Sequence, residues 1–490
     1  MKPAILTLTI SCLVLISFGQ SIRFSKHYDV NNGLGALVDV VELDSGRILA
    51  VGSSLNLNNT INHYDLHHLI TDEYGMPVYN QVYSIPDVSI SGRAVIKSQN
   101  SNTIYSAGFI CDFRVESPSY CDYYFSKLNA EGDTVFFKTY ERLDTCDLLT
   151  GMIQTKPNRI VLMGYTCNDT TTANRDAMFI TVDTLGNVIN QVVWGGSRLD
   201  YVRNGLVMNE FGEALILGYT ASYAGSDNDS WVLNIDSIGN VNWHQVYNHI
   251  SNQGDACSGI TLQPDGNYIL SGNGDVGTSE TDFYLMKIDQ SGGVIWTREY
   301  ALPGTQGFWW SQGLEDGTVY SCGATAETND QGGMLVKSDL NGDTIWMRTY
   351  NPSGGNDLLY NMKILSNGDI VMVGQGRDSV PSTQDGWLIR VDQYGCVIEN
   401  CHSVGIEEVG TKWEGIVWVY PNPVSDILTI SVPPELQIEI VRLINIHGQI
   451  VSENPNSRTI DVRGLANGVY VLQIQSNDGK LYHNRIVVEH

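Results

Sequence analysis

Apolar and polar residues alternate over short runs through most of the chain, as in "GITLQPDGNYILSG" and "DFYLMKIDQSGGVIWTREY". Such alternation marks strands with one buried face, and the Gly, Asp and Asn residues between runs supply the positive φ and local hydrogen bonds of hairpin turns. Two anchors recur. Asp/Asn-x-x-Gly follows an apolar strand at Asp72/Gly75, Asn129/Gly132, Asp183/Gly186, Asp236/Gly239, Asp289/Gly292, Asp339/Gly342 and Asp392/Gly395. A lone glycine ends a strand at Gly52, Gly108, Gly164, Gly218, Gly272, Gly323 and Gly374. Both series advance by 50 to 57 residues and give seven copies. A period of that length with only strand signals inside it predicts a seven-bladed β-propeller, four strands to a blade.

An aromatic pair four residues apart follows the turn in most copies: Tyr79/Tyr83, Phe136/Tyr140, Trp243/Tyr247, Trp296/Tyr300 and Trp346/Tyr350. Residues four apart on a strand share a face, so each pair can pack between neighbouring sheets. The third copy has Asn190/Trp194 instead, and the seventh runs into "CVIENC" without a pair. Phe24 and Tyr28, near the other end of the chain, have the missing spacing. The N-terminal strand is therefore expected to complete the last blade, leaving no open edge and a monomeric protein.

Composition adds where the chain goes. Lys+Arg of 28 against Asp+Glu of 54 gives a formal charge of -26 in 490 residues, which disfavours nucleic acid as a partner. "MKPAILTLTISCLVLISFGQS" has the layout of a signal peptide, residues 1–19. No later segment approaches the ~20 apolar residues of a membrane span, so no transmembrane segment is expected after its removal. An oxidising compartment makes disulfides plausible, and the expected pairs are Cys111 with Cys121, Cys146 with Cys167, and Cys396 with Cys401.

After residue 402 the repeat stops. A polar linker, residues 403–416, leads into short alternating strands at 417–490, which suggest a small immunoglobulin-like β-sandwich. Its motifs are Tyr420-Pro421-Asn422-Pro423 followed by "DILTI", a turn at His447-Gly448, "LANGVY" from Leu465 through Gly468 to Tyr470, and a basic-apolar last strand. This tail resembles the type A C-terminal sorting domain of the type IX secretion system of Bacteroidota. The resemblance implies Sec export, recognition by the type IX machinery, and release or attachment at the outer-membrane surface. Within the propeller expected at residues 20–402, roughly residues 22 to 400 resemble propeller repeats of exported proteins of the same bacteria, which implies a fold and no single activity.

Candidate chemistry is sparse. Asp65, Asp122, Asp176, Asp229, Asp282 and Asp385 recur seven residues before the turn, a periodicity that suits structure better than catalysis. Asp147, Asp255 and Asp357 sit seventeen residues before the repeat glycine, where they would ring a channel mouth and attract a cation. Asp227, Asn228 and Asp229 offer oxygen atoms suited to calcium. Trp309 and Trp310 occupy an inner strand where a sister copy has Ser258 and Gly259; one is expected to face a ligand and the other the core. GxSxG, HExxH and a Cys/His pair in an active-site context are missing from the sequence. The reading is an exported binding or scaffold protein for a glycan or peptide; the alternative is a polysaccharide hydrolase or lyase with acidic residues in the blade loops.

Overall fold

The computed structural model describes the chain except residues 1–21, 30–33, 57–62, 100, 114–119, 143–145, 168–174, 224–227, 249–254, 276–280, 301–304, 327–330, 351–355, 378–383, 399–400, 402–417, 422–423, 433–435, 446–448, 478–480 and 489. The segments expected to be a signal peptide and a linker therefore lie outside the described residues. Two compact units are present, Met1–Glu399 and Asn400–His490. The protein is all-β, with one 3-10 turn, Asp44–Gly46, among the described residues.

In the first unit the described strands form seven four-stranded antiparallel groups, the second and third fused into one sheet by a bridge between Cys121 and Cys146. Their first strands are Gly35–Glu42, Val88–Lys97, Cys146–Lys156, Asp200–Met208, Asp255–Leu262, Thr305–Gly313 and Leu358–Ile364. Each packs on the next and the last packs on the first, so these inner strands form a closed, propeller-like ring. We number the sheets 1 to 7 by them. Sheet 7 takes its outer strand, Phe24–Tyr28, from the opposite end of the chain; it pairs with Gln384–Val391, Phe24 opposite Arg390.

An apolar cluster lies between each sheet and the next. Leu49, Val51 and Ile70 of sheet 1 meet Val95 and Tyr124 of sheet 2, and Phe24, Val373 and Leu388 of sheet 7 meet Leu37 and Ala50 of sheet 1. A single sheet cannot cover its own apolar faces, and repetition around a ring lets neighbours do so.

The turns fasten the blades together. At the Asp289 turn, the side-chain Oδ1 accepts from Ser291 N and Gly293 N, while Gly292 takes a φ of +90°. The carbonyl of that glycine then accepts from the Tyr247 hydroxyl of the preceding sheet at 2.8 Å. Tyr140 to Gly186, Tyr300 to Gly342 and Tyr350 to Gly395 repeat the contact. The aromatic pair thus has a polar as well as an apolar duty.

The second unit has two sheets, with strands Trp418–Tyr420, Ile427–Ser431 and Thr459–Asp461 in one and Ile438–Asn445, Ile450–Pro455, Gly468–Ser476 and Leu481–Val488 in the other. They share a core that includes Leu428, Ile430, Val441, Leu472 and Ile486.

Candidate functional site

The repeat glycine is what shapes the inside of the ring. A Cβ at Gly52, Gly108, Gly164, Gly218, Gly272, Gly323 or Gly374 would come within 1.8 to 2.6 Å of a backbone carbonyl oxygen of the adjacent inner strand. Only glycine admits that approach. Opposite each of these glycines the inner strand breaks register: Leu37 faces Gly52 but Asp39 faces Val51, and Gly92 faces Gly108 but Ala94 faces Ala107. All seven inner strands carry such an irregularity at the equivalent place. A bulge bends its strand and re-aims the extra side chain. The residues set in these irregularities are Val38, Arg93, Thr150, Arg203 with its two successors, Ser258, Trp309 and Tyr360.

Contacts between sheets bring these residues together. Arg203 Nη1 donates to Ser258 Oγ at 2.7 Å, from sheet 4 to sheet 5. The rings of Trp309 and Tyr360, on sheets 6 and 7, meet edge to face with centroids 5.8 Å apart. The Tyr360 hydroxyl donates to Gln375 Oε1 at 2.6 Å; burial pushes that phenol up to about 12. The residue after the repeat glycine adds a second layer. Phe109 lies under the Arg93 guanidinium at 5.1 Å and Tyr219 under that of Arg203 at 5.1 Å. Tyr165 lies under Arg175, on the neighbouring strand of sheet 3, at 5.0 Å. Tyr201 links the two tyrosines, 5.2 Å from Tyr165 and 3.9 Å from Tyr219. The result is a strip of arginines laid on aromatic rings, with the Trp309–Tyr360 pair farther round the ring. Planar guanidinium on an aromatic face keeps its edge donors available.

Asp39 stands next to the first bulge. Its carboxylate accepts from Val40 N and Val95 N, at 2.9 and 2.8 Å, and from Asn361 Nδ2 of sheet 7 at 2.8 Å. Burial pushes its carboxyl up to about 7, against the two backbone hydrogen bonds and the Lys363 charge.

The structure sorts the residues singled out from the sequence. Trp309 lies in the bulge, and Trp310 joins the core between sheets 6 and 7 with Tyr320, Met362 and Trp346. Asp147 and Asp357 do not line an open channel, as their spacing had suggested. Both are fully buried, Asp147 with Arg142 Nη1 at 3.4 Å and Asp357 accepting from Arg377 N at 3.0 Å. They secure the segments entering and leaving the blade. The side chain of Asp255 and all of Asp227 lie outside what is described. Asp229 is buried and accepts from Asn248 Nδ2 at 3.3 Å, while Asn228 is exposed, so the two do not present a joint set of oxygens. Among the described residues, no cluster of three His, Cys, Asp or Glu side chains is placed to hold a metal.

Cys111 and Cys121 form a disulfide, and Cys396 and Cys401 are both disulfide-bonded. The Cys146–Cys167 pairing is corrected: the residues face each other across adjacent strands but remain thiols. A hydrogen bond between the sulfurs, helped by the Arg175 charge, lowers Cys167 and raises Cys146. In the tail, Tyr420 and Pro421 are exposed, Tyr470 is buried with its hydroxyl donating to Ala466 O at 2.8 Å, and Gly468 opens a strand; Asn422, Pro423 and Gly448 lie outside the described residues.

The strip itself, Arg93, Arg175, Arg203, Tyr165, Tyr201, Tyr219 and Tyr360, was missed from the sequence. A signal was present. Counting 14 or 15 positions back from each repeat glycine gives the bulge residues, and their chemistry varies from copy to copy while the glycine does not.

Residues 418–489 match the secretion system C-terminal sorting domain family. A curated ulvan lyase of Nonlabens ulvanivorans is 34% identical over 76 residues, 15% of this chain and 14% of that one, so the chain matches only a small part of that relative. Among solved structures, a catalytically inactive virginiamycin B lyase from Staphylococcus aureus with quinupristin is 10% identical with a TM-score of 0.45, covering 75% of this chain and 99% of that one. A protein of unknown function from Dyadobacter fermentans is 10% identical with a TM-score of 0.44, covering 76% and 98%. The sorting domain marks the chain as a cargo of type IX secretion, exported to the cell surface or the extracellular space. No described helix is long and apolar enough to cross a membrane.

Proposed function

We propose that this cargo is a non-catalytic binding protein, a monomeric seven-bladed propeller that uses the inner ring of bulges as its ligand seat. In this reading a signal peptide at residues 1–19 directs Sec export in a member of the Bacteroidota, and an immunoglobulin-like tail is read by the type IX machinery. The observation that carries it is the coincidence of a fixed backbone device with variable side chains. Every inner strand breaks register opposite its repeat glycine. The residues presented there are nonetheless as different as Val38, Arg93, Ser258 and Trp309. Packing needs the bulge; it does not need those differences.

Asp39 is the ring carboxyl nearest neutrality, yet it is occupied by two backbone donors and Asn361 at the junction of sheets 7 and 1. A glycosidase or polysaccharide lyase of the usual kind needs an acid or base free to reach substrate. Binding is therefore the better reading.

The test is a glycan and peptide array probed with the purified exported protein and with Trp309→Ala. Binding that is lost in the variant, with array ligands chemically intact, is the expected result. Consumption of array ligands would replace the binding reading with an enzymatic one, and silence on both arrays would remove it.

A further inference from the structure

We infer that the seat takes an acidic saccharide, its carboxylate or sulfate held by the arginines and its sugar ring by the aromatic faces. The inference rests on the binding reading above. Its starting point is Arg93. This side chain is half-buried, and burial disfavours its charge. Its guanidinium lies over the Phe109 ring at 5.1 Å. A guanidinium has five N–H donors and does not lose its proton in a protein. Desolvating it without an anion is costly, and the cost is recovered if an anion arrives.

Two neighbours share the arrangement. Arg203 lies over Tyr219 and donates to a serine, and Arg175 lies over Tyr165 and beside Cys167. None of the three is ion-paired to a carboxylate among the described residues, in a chain with a formal charge of -26. The nearby acids are engaged elsewhere: Asp39 with Val95 N and Asn361, Asp147 with Arg142, and Asp200 with Thr220 and Gly196 N. A positive site has been kept inside an acidic protein.

The rings decide what else the ligand carries. Tyr165, Tyr201 and Tyr219 form a contiguous aromatic strip, and Trp309 against Tyr360 adds another face. Pyranose C–H faces stack on aromatic rings, while carboxylate and sulfate oxygens take paired donors from arginine. An acidic sugar satisfies both halves of the seat with one residue.

The probes are trigalacturonate, its methyl ester and a sulfated galactose trisaccharide, titrated calorimetrically into the exported protein, Arg93→Gln, Arg203→Gln and the surface control Arg298→Gln. Expected is binding of the carboxylate or the sulfate probe that weakens at least tenfold in Arg93→Gln and Arg203→Gln, weakens with added salt, and survives Arg298→Gln. The arm that binds identifies the acid. Equal binding of the methyl ester, lost in Trp309→Ala but indifferent to the arginine variants, would overturn the acidic ligand and leave the binding reading standing. No binding of any trisaccharide while a peptide binds on the array would overturn the saccharide. Melting temperatures within 2 °C of the parent separate loss of the site from loss of the fold, and Arg93→Lys supplies a second variant that keeps the charge but loses the paired donors.

Discussion

The Tyr28 hydroxyl donates to the carbonyl oxygen of Gly75 at 2.8 Å, joining the strand that enters the ring first to the turn of sheet 1. It is the same contact that Tyr140, Tyr247, Tyr300 and Tyr350 make with the turns of their following sheets. The ring is thus fastened at its seam as elsewhere. Tyr28→Phe leaves the packing and removes one buried hydrogen bond, so a loss of about 1 kcal/mol is expected in urea denaturation. Deleting residues 20–33 removes the whole strand and exposes the edge of Gln384–Val391; lower melting temperature or oligomers on size exclusion are expected, and an unchanged monomer would contradict the closure.

Glycines in the blades do two different jobs, and alanine separates them. Gly368 has a φ of +88° with open space around it. Gly368→Ala should cost about 1 kcal/mol from backbone strain alone. Gly374 meets the Leu358 carbonyl oxygen, 1.8 Å from where its Cβ would be. Gly374→Ala should cost about 3 kcal/mol or more, because the bulge holding Tyr360 must be pushed away. Equal costs, by thermal or chemical melting, would refute the distinction.

Burial lowers the His68 imidazole to about 3, with the adjacent His67 acting in the same direction. A base whose folded pKa is depressed contributes fully above its unfolded value of about 6.5 and loses that contribution as pH falls toward the folded value. The slope from this group is about 1.4 kcal/mol per pH unit inside that window. Stability measured at pH 7, 5.5 and 4 should therefore fall more steeply in the parent than in His68→Leu. The mutant will also lose the bond between His68 Nε2 and Ser106 Oγ, 3.0 Å long, so the slope and not the absolute stability is the readout.

Adjacent tryptophans offer a third separation. Trp310→Ala vacates the core between sheets 6 and 7 and should cost about 3 kcal/mol. Trp309→Ala, in the bulge, should change stability by under about 1 kcal/mol and abolish ligand binding. The reverse outcome would place the functional face on the other side of the strand.

The sequence by itself determined the repeat, its period and its turns. These depend on local chemistry: alternation along a strand, glycine at positive φ, and an Asp or Asn that bonds its own turn. The Phe24/Tyr28 spacing and the sorting-domain motifs in the tail could be read for the same reason. Tertiary structure decided the site. A bulge shifts alternation by one residue, so a strict period of two cannot say that Arg93 and Trp309 are the side chains re-aimed from their strands. Arg203 and Ser258 meet although they are 55 residues apart, because the ring brings inner strands side by side. Packing likewise buried Asp147 and Asp357 and left Cys146 and Cys167 as hydrogen-bonded thiols. Spacing showed which residues recur; contacts between sheets decided which of them face one another.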